Sequence, residues 1–205
     1  MSQAPAQTQS RGGMNLGTIV ATSPSQVNLV AVTGAPGAGV HTLARMLCRQ
    51  GESLEMSMGA PAWLALEAEK GVRHLTANDQ RKYLDLRIAK AKEDRAHWVR
   101  PFHKRLRNLI NQRSYQRIVI TGIITPYELA YCRAMGAKLI HLTAPEEVRH
   151  RRIGLRFLRP AHPAQELLER YMKAHPEKWN LVVDTDEPYG EFVYSVQSTM
   201  EPMLR

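Results

Sequence analysis

Gly34-Ala35-Pro36-Gly37-Ala38-Gly39-Val40-His41-Thr42 is the stretch on which the fold of this chain turns. Before it, Val27-Asn28-Leu29-Val30-Ala31-Val32-Thr33 reads as a short buried strand. After it, Thr42-Leu43-Ala44-Arg45-Met46-Leu47-Cys48 reads as a helix with Leu43, Met46 and Leu47 on one face. Strand, glycine-rich turn and helix are the context of a phosphate-cradling loop of the form G-x-x-x-x-G-K-[ST]. In such a loop the backbone N–H groups wrap the phosphates, and the helix N-terminus adds partial positive charge. Gly34 and Gly39 fit the pattern. Val40 stands where the lysine belongs, and Thr42 comes one residue late. An ordinary Gly/Pro turn is the plainer alternative, but three glycines at this spacing with Pro36 and Thr42 argue against it. The candidate phosphate contacts are therefore Gly34, Gly37, Ala38, Gly39, Val40, His41 and Thr42.

The chain has 205 residues, 43% hydrophobic and 23% charged, enough for one α/β domain with a good core. Its net charge of +9 and pI of about 9.8 suit phosphate-rich ligands, from nucleotides to DNA, and equally describe a protein with a merely basic surface. Only Cys48 and Cys132 occur, without metal-ligand spacing, so both are expected to be reduced and the chain cytoplasmic. No apolar run approaches membrane-spanning length and no signal-type segment opens the chain, so no membrane partner is expected.

Residues 1–26, rich in Gln, Ser, Ala, Pro and Gly, read as a flexible tail, and residues 27–205 as the domain. Leu54 to Met58 is a candidate strand. Pro61 opens a helix that ends at Gly71. Thr76-Ala77-Asn78-Asp79 reads as the N-cap of a long helix running towards Arg95. Trp98, Val99, Phe102, Leu106, Leu109 and Ile110 recur at helical spacing, with Lys104, Arg105, Arg107 and Arg113 largely on other faces. Ile118–Gly122 reads as a second buried strand, Leu139–Leu142 as a third strand and Leu181–Asp184 as the last one. Helices open at Pro126 and Pro145, and a last one covers 188–204. Strands alternating with helices predict a parallel sheet covered on both faces.

The loop is similar to the G-x-P-G-x-G-K-G-T form of adenylate kinases, and also resembles the G-K-D-T form of phage deoxynucleoside monophosphate kinases. From Trp98 onward the chain resembles that phage family through Glu93-Asp94-Arg95, Trp98-Val99, the strand Ile118–Gly122, Glu128, and Gly136-Ala137-Lys138-Leu139-Ile140. Pro145 to Arg156 is similar to the start of the lid in adenylate-type kinases, a turn leading into a helix that here bears Arg149, Arg151, Arg152 and Arg156. The resemblance implies a P-loop NTPase fold, a three-layer α/β sandwich of nucleoside monophosphate kinase type. It places acceptor-binding helices near 52–115 and a lid near 146–165, with His162-Pro163-Ala164-Gln165 marking where the lid hinges. It implies ATP as phosphoryl donor, with Mg²⁺ bridging its oxygens and met by Thr42. It places Arg152 and Arg156 around the moving phosphoryl group, and Arg95, Trp98 and Glu128 near the acceptor nucleotide. For Arg152 and Arg156 the alternative is a pair of solvent-facing charges, and for Trp98 a place in the core.

Three departures fall at chemically important places. Val40 replaces the lysine, Gly122 stands where the family carries an acid, and Ile124 stands where it has arginine. Losing one charged transition-state contact typically costs about 3–4 kcal/mol. Arg45 one turn into the helix, His41, or an arginine from the lid or a partner subunit could compensate. Three functions follow. One is phosphoryl transfer to a deoxynucleoside monophosphate, or to a modified base in DNA. The second is a non-catalytic relative that binds nucleotide, protein or DNA. The third is a DNA-binding module built on Lys104–Arg117 and Arg149–Arg159.

Overall fold

The computed structural model describes residues 27–49, 51–72, 79–153, 163–186, 189–196 and 198. Five parallel strands form one sheet: β1 (Asn28–Gly34), β2 (Ser53–Ser57), β3 (Arg117–Thr121), β4 (Lys138–Thr143) and β5 (Leu181–Asp184). Their order is β2-β3-β1-β4-β5, with Val30 opposite both Val119 of β3 and Lys138 of β4. Among the described residues eight α-helices connect or flank them: α1 (Val40–Cys48), α2 (Ala60–Lys70), α3 (Gln80–Glu93), α4 (Val99–Gln112), α5 (Pro126–Ala134), α6 (Glu146–Ile153), α7 (Pro163–Ala174) and α8 (Tyr189–Ser195).

Side-chain alternation along the central strands separates two cores. Leu29, Ala31, Ile118, Ile120 and Leu139 face Val99, Phe102 and Leu106 of α4, Leu129 and Cys132 of α5, and Leu168 and Met172 of α7. Val30, Val32, Val119, Ile140 and Leu142 face Leu43, Ala44 and Leu47 of α1 and Phe192 of α8. Helices therefore cover both faces, and strands buried on both sides read as continuous apolar runs. The result is a three-layer α/β sandwich with a parallel sheet.

Several elements settle differently from their sequence reading. Asp79 precedes α3, but its side chain makes no cap hydrogen bond and instead pairs with Lys70 at the end of α2. Residues 76–78 of the expected cap lie outside the described residues. Pro163 opens α7, whose Leu168 and Met172 are buried in the core, so residues 163–165 of the expected hinge form the first turn of that helix. His162 and Arg156 lie outside the described residues, as does the tail 1–26. Lys104, Arg105 and Arg113 of the basic stretch are exposed, as a solvated helix face requires.

Candidate functional site

The glycine-rich loop leaves the C-terminal end of β1 between β3 and β4, where the direction of strand succession reverses. Open parallel sheets bind ligands in the crevice at such a point. Gly39 heads α1, whose first turn contains no acidic residue. The N–H groups of that turn lack an upstream carbonyl within the helix, so they and the helix dipole are available to an anion.

Gly37 has φ 86°, and a Cβ there would lie 2.7 Å from the carbonyl oxygen of Arg149. The backbone of α6 therefore rests directly on the loop. Arg152, from the same helix, donates through Nη1 to Thr185 Oγ1 at 2.9 Å and more loosely to Gly37 O at 3.5 Å. Its Nη2 donates to Thr185 O. The Thr185 hydroxyl lies 3.0 Å from Ala38 O and 3.1 Å from Thr143 O, so this buried group ties loop, β4, β5 and α6 together. The sequence marked Arg152 but assigned Thr185 no role; a lone hydroxyl after a strand carries no signal until its partners converge.

Val40 packs at the rim of the core shared by α1 and α8, so the lysine position holds no cation. Arg45 is exposed in the last turn of α1. Helical side chains lean towards the N-terminus, which is the direction it must reach to approach phosphates. His41 carries the polar contact: its Nδ1 lies 2.9 Å from Glu55 Oε1. The same oxygen accepts from Thr121 Oγ1 at 2.9 Å. Glu55 from β2 thus places a carboxylate beside the loop. Sequence reasoning passed over it because one acid in a five-residue strand reads as a solvent-facing position.

Beyond β3 the polar groups are internal. Gly122 has φ 69°, which strains any residue bearing a Cβ, and a Cβ there would lie 2.5 Å from Ser57 Oγ, which would have to turn away. Arg87 of α3, fully buried, donates to Gly122 O at 2.8 Å and Tyr83 Oη at 3.0 Å, and forms an ion pair with buried Glu128. Burial works against the guanidinium charge, but Glu128 and Tyr83 outweigh it and hold the proton more tightly than usual. Burial pushes the Tyr83 hydroxyl up despite Arg87.

Glu128 also completes a capping box: its Oε2 accepts from the N–H groups of Ile124 and Thr125, while the Thr125 hydroxyl accepts from the backbone N–H of Glu128. Trp98 is buried and donates its indole N–H to Arg87 O at 3.1 Å. The structure thus places Trp98 and Glu128 in the interior, engaged with Arg87. Arg95 lies exposed in the turn between α3 and α4.

No known protein family and no curated protein matches the sequence. Solved structures do match the fold. A dephospho-CoA kinase from Campylobacter jejuni superposes with a TM-score of 0.53 at 13% identity, over 87% of this chain and 98% of that one. A sugar kinase from Janibacter gives 0.51 at 18% identity, over 85% and 95%. The tunicamycin resistance protein of Deinococcus radiodurans gives 0.51 at 14%, also over 85% and 95%.

The fold is that of the P-loop kinases. In this chain residues 34–42 run from the end of β1 into the first turn of α1. Mg²⁺ carried on donor phosphates requires one or two protein oxygens besides the phosphates and water. The Glu55 carboxylate and the exposed Thr42 hydroxyl fit that requirement. Among the described residues no cluster of three or more His, Cys, Asp or Glu forms a metal cage.

Proposed function

We propose that this chain binds the phosphates of ATP in the Gly34–Thr42 loop and transfers the terminal phosphoryl group to a small acceptor. The observation that carries the reading is the convergence of an acid-free helix N-terminus, Gly37 beneath α6, and Arg152 latched over both by Thr185. Phosphoryl transfer asks mainly for positioning and charge neutralisation. The loop N–H groups hold the donor oxygens. Arg152 and, by the resemblance, Arg156 neutralise charge on the moving group. Arg45 supplements the missing lysine from one turn away. Thr42 and Glu55 would hold a Mg²⁺ ion, which would supply positive charge to the donor phosphates. An acceptor oxygen attacks the terminal phosphorus as the bond to the bridging oxygen breaks, releasing ADP.

The acceptor is a deoxynucleoside monophosphate, a choice resting on the sequence resemblance, with Arg95 as its exposed cation. Trp98 and Glu128 shape this side from within rather than touch the acceptor. A second reading, a non-catalytic nucleotide binder serving a protein or DNA partner, is favoured by Val40 packing at the rim of the core, which leaves the lysine position without a cation.

Calorimetry with ATP and Mg²⁺, followed by a phosphate-transfer assay on mixed deoxynucleoside monophosphates, separates the two. Binding with turnover supports the kinase, and Arg45→Ala and Arg152→Ala then identify the substitute for lysine. Binding without turnover selects the second reading, and the absence of binding overturns both nucleotide readings.

A further inference from the structure

The residue that follows the absent lysine deepens this reading. In the loop consensus that place belongs to Ser or Thr, whose hydroxyl meets the metal ion on the nucleotide. Here it holds His41, and the threonine follows one position later. α1 begins at Val40, so His41 and Thr42 both lie in its first turn.

The imidazole is also held. Its Nδ1 meets Glu55 Oε1 at 2.9 Å, and Thr121 Oγ1 donates to that same oxygen at 2.9 Å. The carboxylate is therefore fixed by β3 on one side and presented to the ring on the other. Histidines that ligate metals typically donate their second ring N–H to such a carboxylate, which sets the tautomer and leaves the other nitrogen with a free lone pair. With Nδ1–H donating to Glu55, that nitrogen is Nε2. The His41 side chain is 67% exposed, so the ring is open to an incoming ligand. Gly122 has no side chain to offer at the end of β3, and Glu55 on the neighbouring strand supplies a carboxylate instead.

We propose that His41, oriented by Glu55, is a nitrogen ligand of the divalent cation that accompanies the donor nucleotide, and that the site consequently prefers Mn²⁺ to Mg²⁺. Mg²⁺ demands oxygen ligands in near-ideal octahedral geometry. Imidazole raises affinity for first-row transition metals instead, while carboxylate and phosphate oxygens remain acceptable to Mn²⁺. Two protein groups suffice, because phosphate oxygens and water complete the shell, in keeping with the absence of a larger ligand cluster among the described residues. The proposal rests on nucleotide binding in the loop.

The test is calorimetry of ADP binding to the full chain at saturating Mg²⁺ and, separately, saturating Mn²⁺, with pulsed EPR of the Mn²⁺–ADP complex. The expected result is ADP binding at least about tenfold tighter with Mn²⁺, and nitrogen coupling to the Mn²⁺ spin. His41→Ala should bring the two affinities within about twofold and abolish the coupling while ADP still binds with Mg²⁺, and Glu55→Gln should reduce the Mn²⁺ preference by about tenfold. His41→Asn, which keeps a polar group in the first turn, should behave as His41→Ala. Equal affinities in the native chain, a preference that survives His41→Ala, or no nitrogen coupling would overturn the metal proposal alone. No ADP binding with either metal would overturn the nucleotide reading and this proposal with it.

Discussion

Two polar centres lie at the C-terminal end of the same sheet, and they handle charge in opposite ways. At the loop, His41, Arg45 and Arg152 are exposed, and their partners are backbone carbonyls, a hydroxyl and a half-open carboxylate. Beyond β3, Arg87 and Glu128 are sealed in the interior, each bound to the other and to backbone groups. A buried ion pair is strongly destabilising to break, whereas exposed charges contribute little to stability. The loop can therefore exchange its charged groups with small effect on folding, and the Arg87–Glu128 centre cannot.

The largest effect should come from breaking the sealed centre. Arg87→Met leaves the Glu128 charge unpaired, and urea unfolding should show a loss of about 3–5 kcal/mol. The double variant Arg87→Met/Glu128→Leu should recover part of that loss; if it is as unstable as the sum of the singles, the pair is not one coupled unit. Next comes Gly37→Ala. Left-handed backbone on a residue with a Cβ costs on the order of 1–3 kcal/mol, and the new methyl would also press on the Arg149 carbonyl. A thermal melt should drop, and ATP binding by calorimetry should vanish with it.

Arg152→Ala should divide the two readouts. Its hydrogen bonds to Thr185 are replaceable by water, so stability should change by less than about 1 kcal/mol, while nucleotide affinity falls about tenfold or more. Equal losses in both would make Arg152 a structural latch only.

The smallest effect concerns His141, outside both centres. It is buried in β4 beside the Trp179 ring, at 5.0 Å between centroids, with Glu169 and Lys173 of α7 facing it. Burial holds its pKa below the usual histidine value. The unfolded chain then takes up the proton first as pH falls. The stability His141 contributes is whole above about pH 6.5 and is lost as pH drops through its lower folded value. Unfolding followed from about pH 7 to about pH 5 should show that decline, and His141→Leu should flatten it. His103, also lowered by burial, leaves a residual slope of the same sign.

The fold was largely legible in the chain because its signals are local. Val27–Thr33, Ile118–Gly122 and Leu139–Leu142 are apolar runs of strand length, and the glycines between β1 and α1 require backbone conformations few other residues adopt. Trp98 shows the limit. Its spacing with Phe102 and Leu106 marks a helix face, but only the packed structure shows the indole donating to Arg87 O rather than facing a base. Glu128 is similar. Its place in a helix first turn was readable, whereas its bond to an arginine 41 residues away was not. Arg87 itself passed unmarked, since a helical arginine in a charged stretch reads as solvated.

What the sequence determined by itself was the alternation of strands and helices and the glycine-rich turn between β1 and α1, because backbone preference and hydrophobic period act between near neighbours. What only the tertiary structure decided was which charges face the loop and which are sealed away. Glu55 and Thr121 meet His41 because β2 pairs with β3 in one register, and Thr185 reaches Arg152 because β5 ends beside β4. Such contacts depend on how distant segments align in space, and no local propensity encodes that alignment.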